Sequence, residues 1–166
     1  MSVLTDYTAG EQRLLLRSLS AAAIAIAAAS LGRKTETVSE GFAAAKYIID
    51  VREPYLTNAL IGSVQYELER RAAADEAFPN FVEQATADRA EQAALDTLGA
   101  VAALLAAKTT AEEAQGFKQW LLDIAAATQQ AGKEGGNFLG WGATPVNDAE
   151  REALQRMAQV LGMPTG

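Results

Sequence analysis

Three segments of the form Thr-x-x-Glu, at residues 8–11, 37–40 and 110–113, each stand directly before a stretch rich in alanine. In this spacing the threonine side chain accepts a hydrogen bond from a free backbone N–H group, and the glutamate side chain reaches back to the backbone of the threonine. Each segment therefore predicts the first turn of an α-helix. Larger apolar residues then follow at intervals of three or four, which is the spacing of one helix face.

Proline and glycine divide the rest of the chain into further helices. Pro54 suits the first position of a helix, because the N–H group that it lacks would have no partner there. Gly162, with Pro164 behind it, predicts the end of the last helix. The predicted helices span residues 9–31, 38–52, 54 to beyond 68 without a defined end, 87–108, 111 into a glycine-rich segment, and 148–161.

Alanine is the most informative part of the composition. Thirty-six of the 166 residues are alanine, a strong helix former whose small side chain lets neighbouring helices approach closely. With 49% hydrophobic residues, a chain of this length can bury a core without disulfides or metals. We therefore expect a single all-α domain over residues 1–166, built as an antiparallel bundle of five to seven helices. Two exposed ion pairs are predicted on its helices, Glu67 with Arg71 and Glu152 with Arg156.

Histidine and cysteine are absent from the sequence. The chain therefore lacks the usual general base, a thiol nucleophile and the commonest zinc ligands, so we predict no catalytic residue, no metal site and no cofactor. Paired carboxylates such as Asp75 and Glu76 are expected on solvated faces or at helix caps. The net charge of −7 repels phosphate backbones and argues against a nucleic-acid partner.

The apolar run 19–31 has two possible locations, a membrane or the protein core. It is shorter than the roughly 20 residues needed to cross a bilayer. The acidic residues Asp6 and Glu11 precede it, whereas an export signal begins with a basic leader. We therefore interpret the run as a buried helix, and we expect a cytoplasmic protein with no membrane partner.

The segment 132–142 combines five glycines with two large aromatic residues. In one interpretation the glycines end the preceding helix, while Phe138 and Trp141 cover the end of the bundle. In the other, the segment is a loop that binds a small ligand or an anion through backbone N–H groups. The candidate ligand or partner residues are Lys133, Gly135, Gly136, Phe138 and Trp141.

The C-terminal third also resembles a group of small bacterial all-helical proteins that carry a Lys-Glu-Gly-Gly-Phe-Leu-Gly-Phe-Gly type of segment. The likeness extends over residues 110–162, and this chain departs from the pattern by an inserted Asn137 and by Trp141 in place of phenylalanine. The resemblance implies a bacterial helical domain, and it brings no activity and no site residues. The segments that carry it are 117–124, 132–140 and 148–150.

Assembly is the main functional hypothesis that these observations leave. We expect a non-catalytic protein that associates with itself or with another protein, and the alternative is small-ligand or anion binding by residues 132–142. Aromatic residues are enriched at protein contacts, although a core position is the expected role of those in this chain. The aromatic residues considered for such a contact are Tyr47, Tyr55, Tyr66, Phe78 and Phe81.

Overall fold

The computed structural model describes residues 1–30, 57–76, 87–135 and 148–165. Within these residues it contains five α-helices, a short 3-10 turn at Leu4–Asp6 and no strand, which confirms the predicted all-α helical bundle. The helices are α1 (Ala9–Ser30), α2 (Ala59–Ala73), α3 (Ala87–Lys108), α4 (Ala111–Gly135) and α5 (Asp148–Leu161).

Two of the three predicted capping segments lie in the described part of the chain, and both form the expected contacts. At the start of α1, the Thr8 N–H donates to Glu11 Oε2 at 2.8 Å, and the Glu11 N–H donates to Thr8 Oγ1 at 3.4 Å. At the start of α4, the same reciprocal bonds join Thr110 and Glu113, at 3.3 and 3.2 Å. The segment 37–40 and the helix predicted after it lie outside the described residues.

The ends of the helices follow the local signals closely, with one exception. The bounds of α3 match the prediction, and α5 stops before Gly162, whose φ of 65° lies in the left-handed region that glycine tolerates. The predicted start of α2 at Pro54 is wrong, because this helix begins at Ala59. Its N-cap is Asn58, which has an extended backbone and accepts a bond from the Ile61 N–H at 3.2 Å.

Asn58 was missed because its role depends on α4. While Oδ1 caps α2, Nδ2 donates to the Glu113 carbonyl oxygen at 3.0 Å, so one buried side chain ties the two helices together. The approach requires Gly116, since a Cβ atom there would lie only 2.7 Å from Asn58 Nδ2. A contact across 55 residues cannot be inferred from local capping preferences.

The helix α1 lies at the centre of the described fold, where it packs against α3, α4 and α5. Every residue from 18 to 27 is buried, which confirms that the apolar run is a core helix. The buried stretch 18–27 includes two serines, and each is satisfied by a carbonyl oxygen of the preceding turn. Ser18 Oγ donates to Leu15 at 2.6 Å, and Ser20 Oγ donates to Arg17 at 3.0 Å.

The helix α4 contributes the largest side chains of the core. Phe117 and Trp120 are fully buried and meet edge to face, with ring centroids 5.5 Å apart and an interplanar angle of 83°. This arrangement is a favoured one for aromatic pairs. The predicted apolar stripe of this helix is confirmed, because each of its members is buried. Those members are Phe117, Leu121, Ile124, Ala125 and Thr128.

By length and composition, two of the described helices are apolar enough to cross a membrane, over Ala9–Ala29 in α1 and Arg89–Lys108 in α3. A core helix passes the same test, and 67% of the α1 window is buried inside the protein. Only 28% of the α3 window is buried. The core accounts for the large apolar side chains of α3, and the apolar residues exposed on this helix are alanines.

Candidate interaction surfaces

The glycine-rich segment carries the site residues predicted from the sequence. Gly135 is the last residue of α4, and Lys133 lies in the final turn of the same helix. Gly136, Phe138 and Trp141 lie outside the described residues. Ligand or partner binding by this segment therefore stays a prediction.

The outward face of α3 is an extended surface of small apolar residues. Leu98, Val101 and Leu105 point into the core and have no solvent exposure. The opposite side of the helix consists largely of small apolar residues. Exposed on it are Ala93, Ala100, Ala103 and Ala107, with Leu104 half-buried beside them.

These exposed alanines follow the spacing of a helix–helix seam. Ala93, Ala100, Ala103 and Ala107 are separated by seven, three and four residues, which is the heptad pattern of helices that pack along their length. We call this surface, including Arg89 and Asp96 at the two remaining positions of the pattern, the α3 seam. Its two charged residues have opposite signs, so the seam is neutral on a chain of net charge −7.

The exposed side of α2 carries a second feature, an aromatic residue in solvent. Tyr66 is 70% exposed, so the expectation of a core position is wrong for this tyrosine. The other aromatic residues named for a contact lie outside the described part of the chain. One turn before Tyr66 lies Gly62, which is also exposed.

The charges on α2 neutralise one another. Arg70 bonds to Glu67 at 2.8 Å and to Glu76 at 2.9 Å, and Arg71 bonds to Glu67 at 2.7 Å, as predicted for the last pair. The hydrogen bond from Arg70 is the main reason why the pKa of Glu67 falls to about 2. This group of four side chains has no net charge.

The helices α3 and α5 are joined by a further ion pair. Arg156 bonds to Glu91 at 2.6 Å, and its predicted contact with Glu152 is longer, at 3.7 Å. Both pairs are partly exposed to solvent, where ion pairs contribute little to stability.

A polar cleft of about 470 Å³ lies beside the N-terminal turn. The Lys108 ammonium bonds to Glu11 at 2.8 Å, and it lies 5.5 Å from the centre of the Tyr7 ring. Glu113 accepts from the Ser2 N–H at 2.8 Å, and this bond is the main reason why its pKa is lowered. The charged groups of the cleft are thus engaged within the protein.

The hydroxyl groups at the cleft are also withdrawn from any ligand. The Ser2 and Tyr7 oxygens are sealed from solvent and meet no hydrogen-bond partner of standard geometry in the described part of the chain. Burial raises the pKa of Tyr7, and Ser2 lies close enough to oppose that rise. Neither of these two hydroxyl groups is therefore accessible to a molecule bound in the cleft.

The described residues hold no group of three acidic side chains that could bind a metal ion. Among the paired carboxylates, Glu113 caps α4 and binds the N-terminal turn, while Glu76 pairs with Arg70. Each of these two carboxylates thus has a structural partner, and neither is arranged with a second carboxylate for acid–base chemistry. Asp50 and Glu53 lie outside the described residues.

Comparisons with protein-family models, with curated proteins and with solved structures each return no match to this chain.

Proposed function

We propose that this chain is a non-catalytic, cytoplasmic helical protein that associates with a second copy of itself through the α3 seam. The observation that carries the proposal is the low burial of a helix as apolar as the core helix, 28% against 67%. Burying apolar surface is the main driving force of protein association. A seam of exposed alanines at heptad spacing is a surface on which a second helix can pack.

A second copy is the partner that the chemistry of the seam favours. Alanines let two helix backbones approach closely, and a row of small residues on one copy is complementary to the same row on another. The neutral seam also allows two chains, each of net charge −7, to meet without concentrating like charges.

An antiparallel pairing centred on Ala100 uses the seam most fully. Ala93 of one copy then lies opposite Ala107 of the other. Because the twofold axis passes through Ala100, each contact occurs twice in the dimer.

The test is a single substitution with a control on the same helix. Ala100→Glu places a charge at the centre of the proposed contact, and we expect it to weaken association by at least about tenfold because an unpaired charge would be buried. Ala106→Glu is the control, because Ala106 is exposed on α3 but lies about 120° around the helix from Ala100. Sedimentation equilibrium across the micromolar range gives both association constants. A wild-type protein that stays monomeric throughout would refute the proposal.

The alternative proposed from the sequence is ligand or anion binding by residues 132–142. Its test is tryptophan fluorescence with a panel of small metabolites. Trp120 is fully buried, so a ligand at this segment should change the emission of Trp141 alone. A response that survives Trp141→Phe would contradict the alternative.

A further inference from the structure

Gly62 and Tyr66 lie one helical turn apart on the exposed side of α2. Glycine is unfavourable in the interior of a helix compared with alanine. A Cβ atom at Gly62 would meet no heavy atom of the described residues within 4 Å, so the described part of the fold gives no steric reason for glycine at this position. Gly116 is the opposite case, because a Cβ atom there would collide with Asn58.

Tyr66 is the exposed member of the described aromatic residues. Tyr7 is 4% exposed, and Phe117 and Trp120 are fully buried, whereas Tyr66 is 70% exposed. Its ring does not cover Gly62, since the space above the glycine is open. The side of α2 therefore presents a large projecting ring and, one turn away, a shallow depression where the backbone is accessible.

We propose that this side of α2 packs on the same side of α2 in a second copy of the chain, with each Tyr66 ring seated against Gly62 of the other. An antiparallel pair of helices related by a twofold axis brings each projection over a depression. Tyrosine is among the residues that contribute most at protein contacts, since it buries a large area with few rotatable bonds.

Charge supports a second copy as the occupant. The group formed by Glu67, Arg70, Arg71 and Glu76 is neutral, so these four side chains add no net charge to the contact. In the antiparallel pair, Glu69 of one copy lies opposite Ala59, the first residue of the other α2. A carboxylate near the amino end of a helix is favourable, because the helix dipole is positive there.

This contact is separate from the α3 seam and does not depend on it. The described contacts of α2 are with α4 and the N-terminal turn, whereas α3 packs on α1, α4 and α5. A chain with two different twofold contacts forms assemblies larger than a dimer. The two contacts can therefore be tested one at a time.

The absence of cysteine allows a direct test by disulfide trapping. Chains carrying Gly62→Cys are mixed with chains carrying Tyr66→Cys and oxidised mildly. We expect the mixed disulfide to form at least about tenfold faster than in a control mixture of Gln155→Cys with Gln159→Cys, since a disulfide needs Cα atoms within about 7 Å. The control residues are exposed on α5 at the same spacing. Equal rates in the two mixtures would overturn the proposal.

A second pair of measurements separates the contact from a purely structural role of Gly62. Gly62→Ala should raise the melting temperature of the single chain, because alanine is the better helix former and its Cβ atom has room. The same substitution, added to the chain that carries Tyr66→Cys, should slow trapping by Gly62→Cys, because its Cβ atom fills the depression that receives the other Tyr66 ring. The mixture of Gly62→Cys and Tyr66→Cys chains can also be oxidised with Ala100→Glu added to both. The rate of trapping should be unchanged, and a loss of trapping would show that the α2 contact depends on the α3 seam.

Discussion

The helices α1 and α3 have the same length, 22 residues, and both are apolar enough to cross a membrane, yet the protein uses them differently. Ten consecutive residues of α1 are buried, whereas α3 alternates between core residues and exposed alanines. The helix α1 is enclosed because α3, α4 and α5 pack around it. The apolar composition of a helix therefore determines which of its surfaces would be stabilised by burial. The helices that pack against it determine which of those surfaces are buried.

The clearest comparison truncates one leucine to alanine in each helix. Leu19→Ala in α1 removes a fully buried side chain, and we expect it to destabilise the protein by about 2–5 kcal/mol, because the cavity is surrounded by helices. Leu104→Ala in α3 removes a half-buried side chain, and a loss of less than about 1.5 kcal/mol is expected. Urea unfolding followed by circular dichroism at 222 nm measures both. Equal losses would show that α3 is covered as fully as α1.

The reverse change, from a small to a large residue, should also destabilise the protein more in α1 than in α3. Ala22→Leu inserts three carbon atoms into the packed centre of α1, and about 1–3 kcal/mol of stability should be lost by overpacking. Ala100→Leu adds the same atoms to an exposed position, where changes stay within about 0.5 kcal/mol. Thermal unfolding at low protein concentration, where chains are separate, tests the pair. A destabilised Ala100→Leu variant would mean that the seam is occupied within the chain.

The smallest expected effect concerns the ion pair that joins the start of α1 to the end of α3. Lys108 bonds to Glu11 at 2.8 Å, and this bond is the main reason why the pKa of Glu11 lies below its ordinary value. A carboxyl group with a lowered pKa stabilises the fold above its ordinary pKa, and the contribution is lost as the pH falls through the lowered value. Glu11→Gln should therefore be less stable than the wild type at pH 7. The difference should vanish at acid pH, below the lowered pKa of Glu11, and a difference that persists there would assign the effect to lost capping of α1.

Local signals predicted the parts of the fold that depend on a few neighbouring residues. The capping pairs of Thr8 and Thr110, the bounds of α3 and the stop at Gly162 each involve atoms within about one turn of the backbone. The start of α2 was predicted wrongly, because Pro54 is a plausible local start while Asn58 is fixed by its bond to α4.

The candidate surfaces were harder to predict than the helices. The large apolar residues of α3 recur at three- and four-residue intervals, which indicates the inner face of the helix but not a role for the alanines on the other side. Those large residues are Leu95, Leu98, Val101, Leu104 and Leu105. The heptad spacing of the alanines was present in the sequence as a detectable signal. Nothing in the pattern around Tyr66 marks it as exposed, since aromatic residues at helical spacing are usually core residues.

The sequence by itself determined that the chain is helical, where most of the described helices begin and end, and which of their sides are apolar. These properties follow from backbone hydrogen bonds and side-chain spacing within single turns. Only the tertiary structure decided that α1 is enclosed, that α3 keeps an apolar side in solvent, that α2 begins at Ala59 and that Tyr66 projects outwards. Each of these depends on which distant segment packs against a surface, and one apolar stripe is compatible with many such partners.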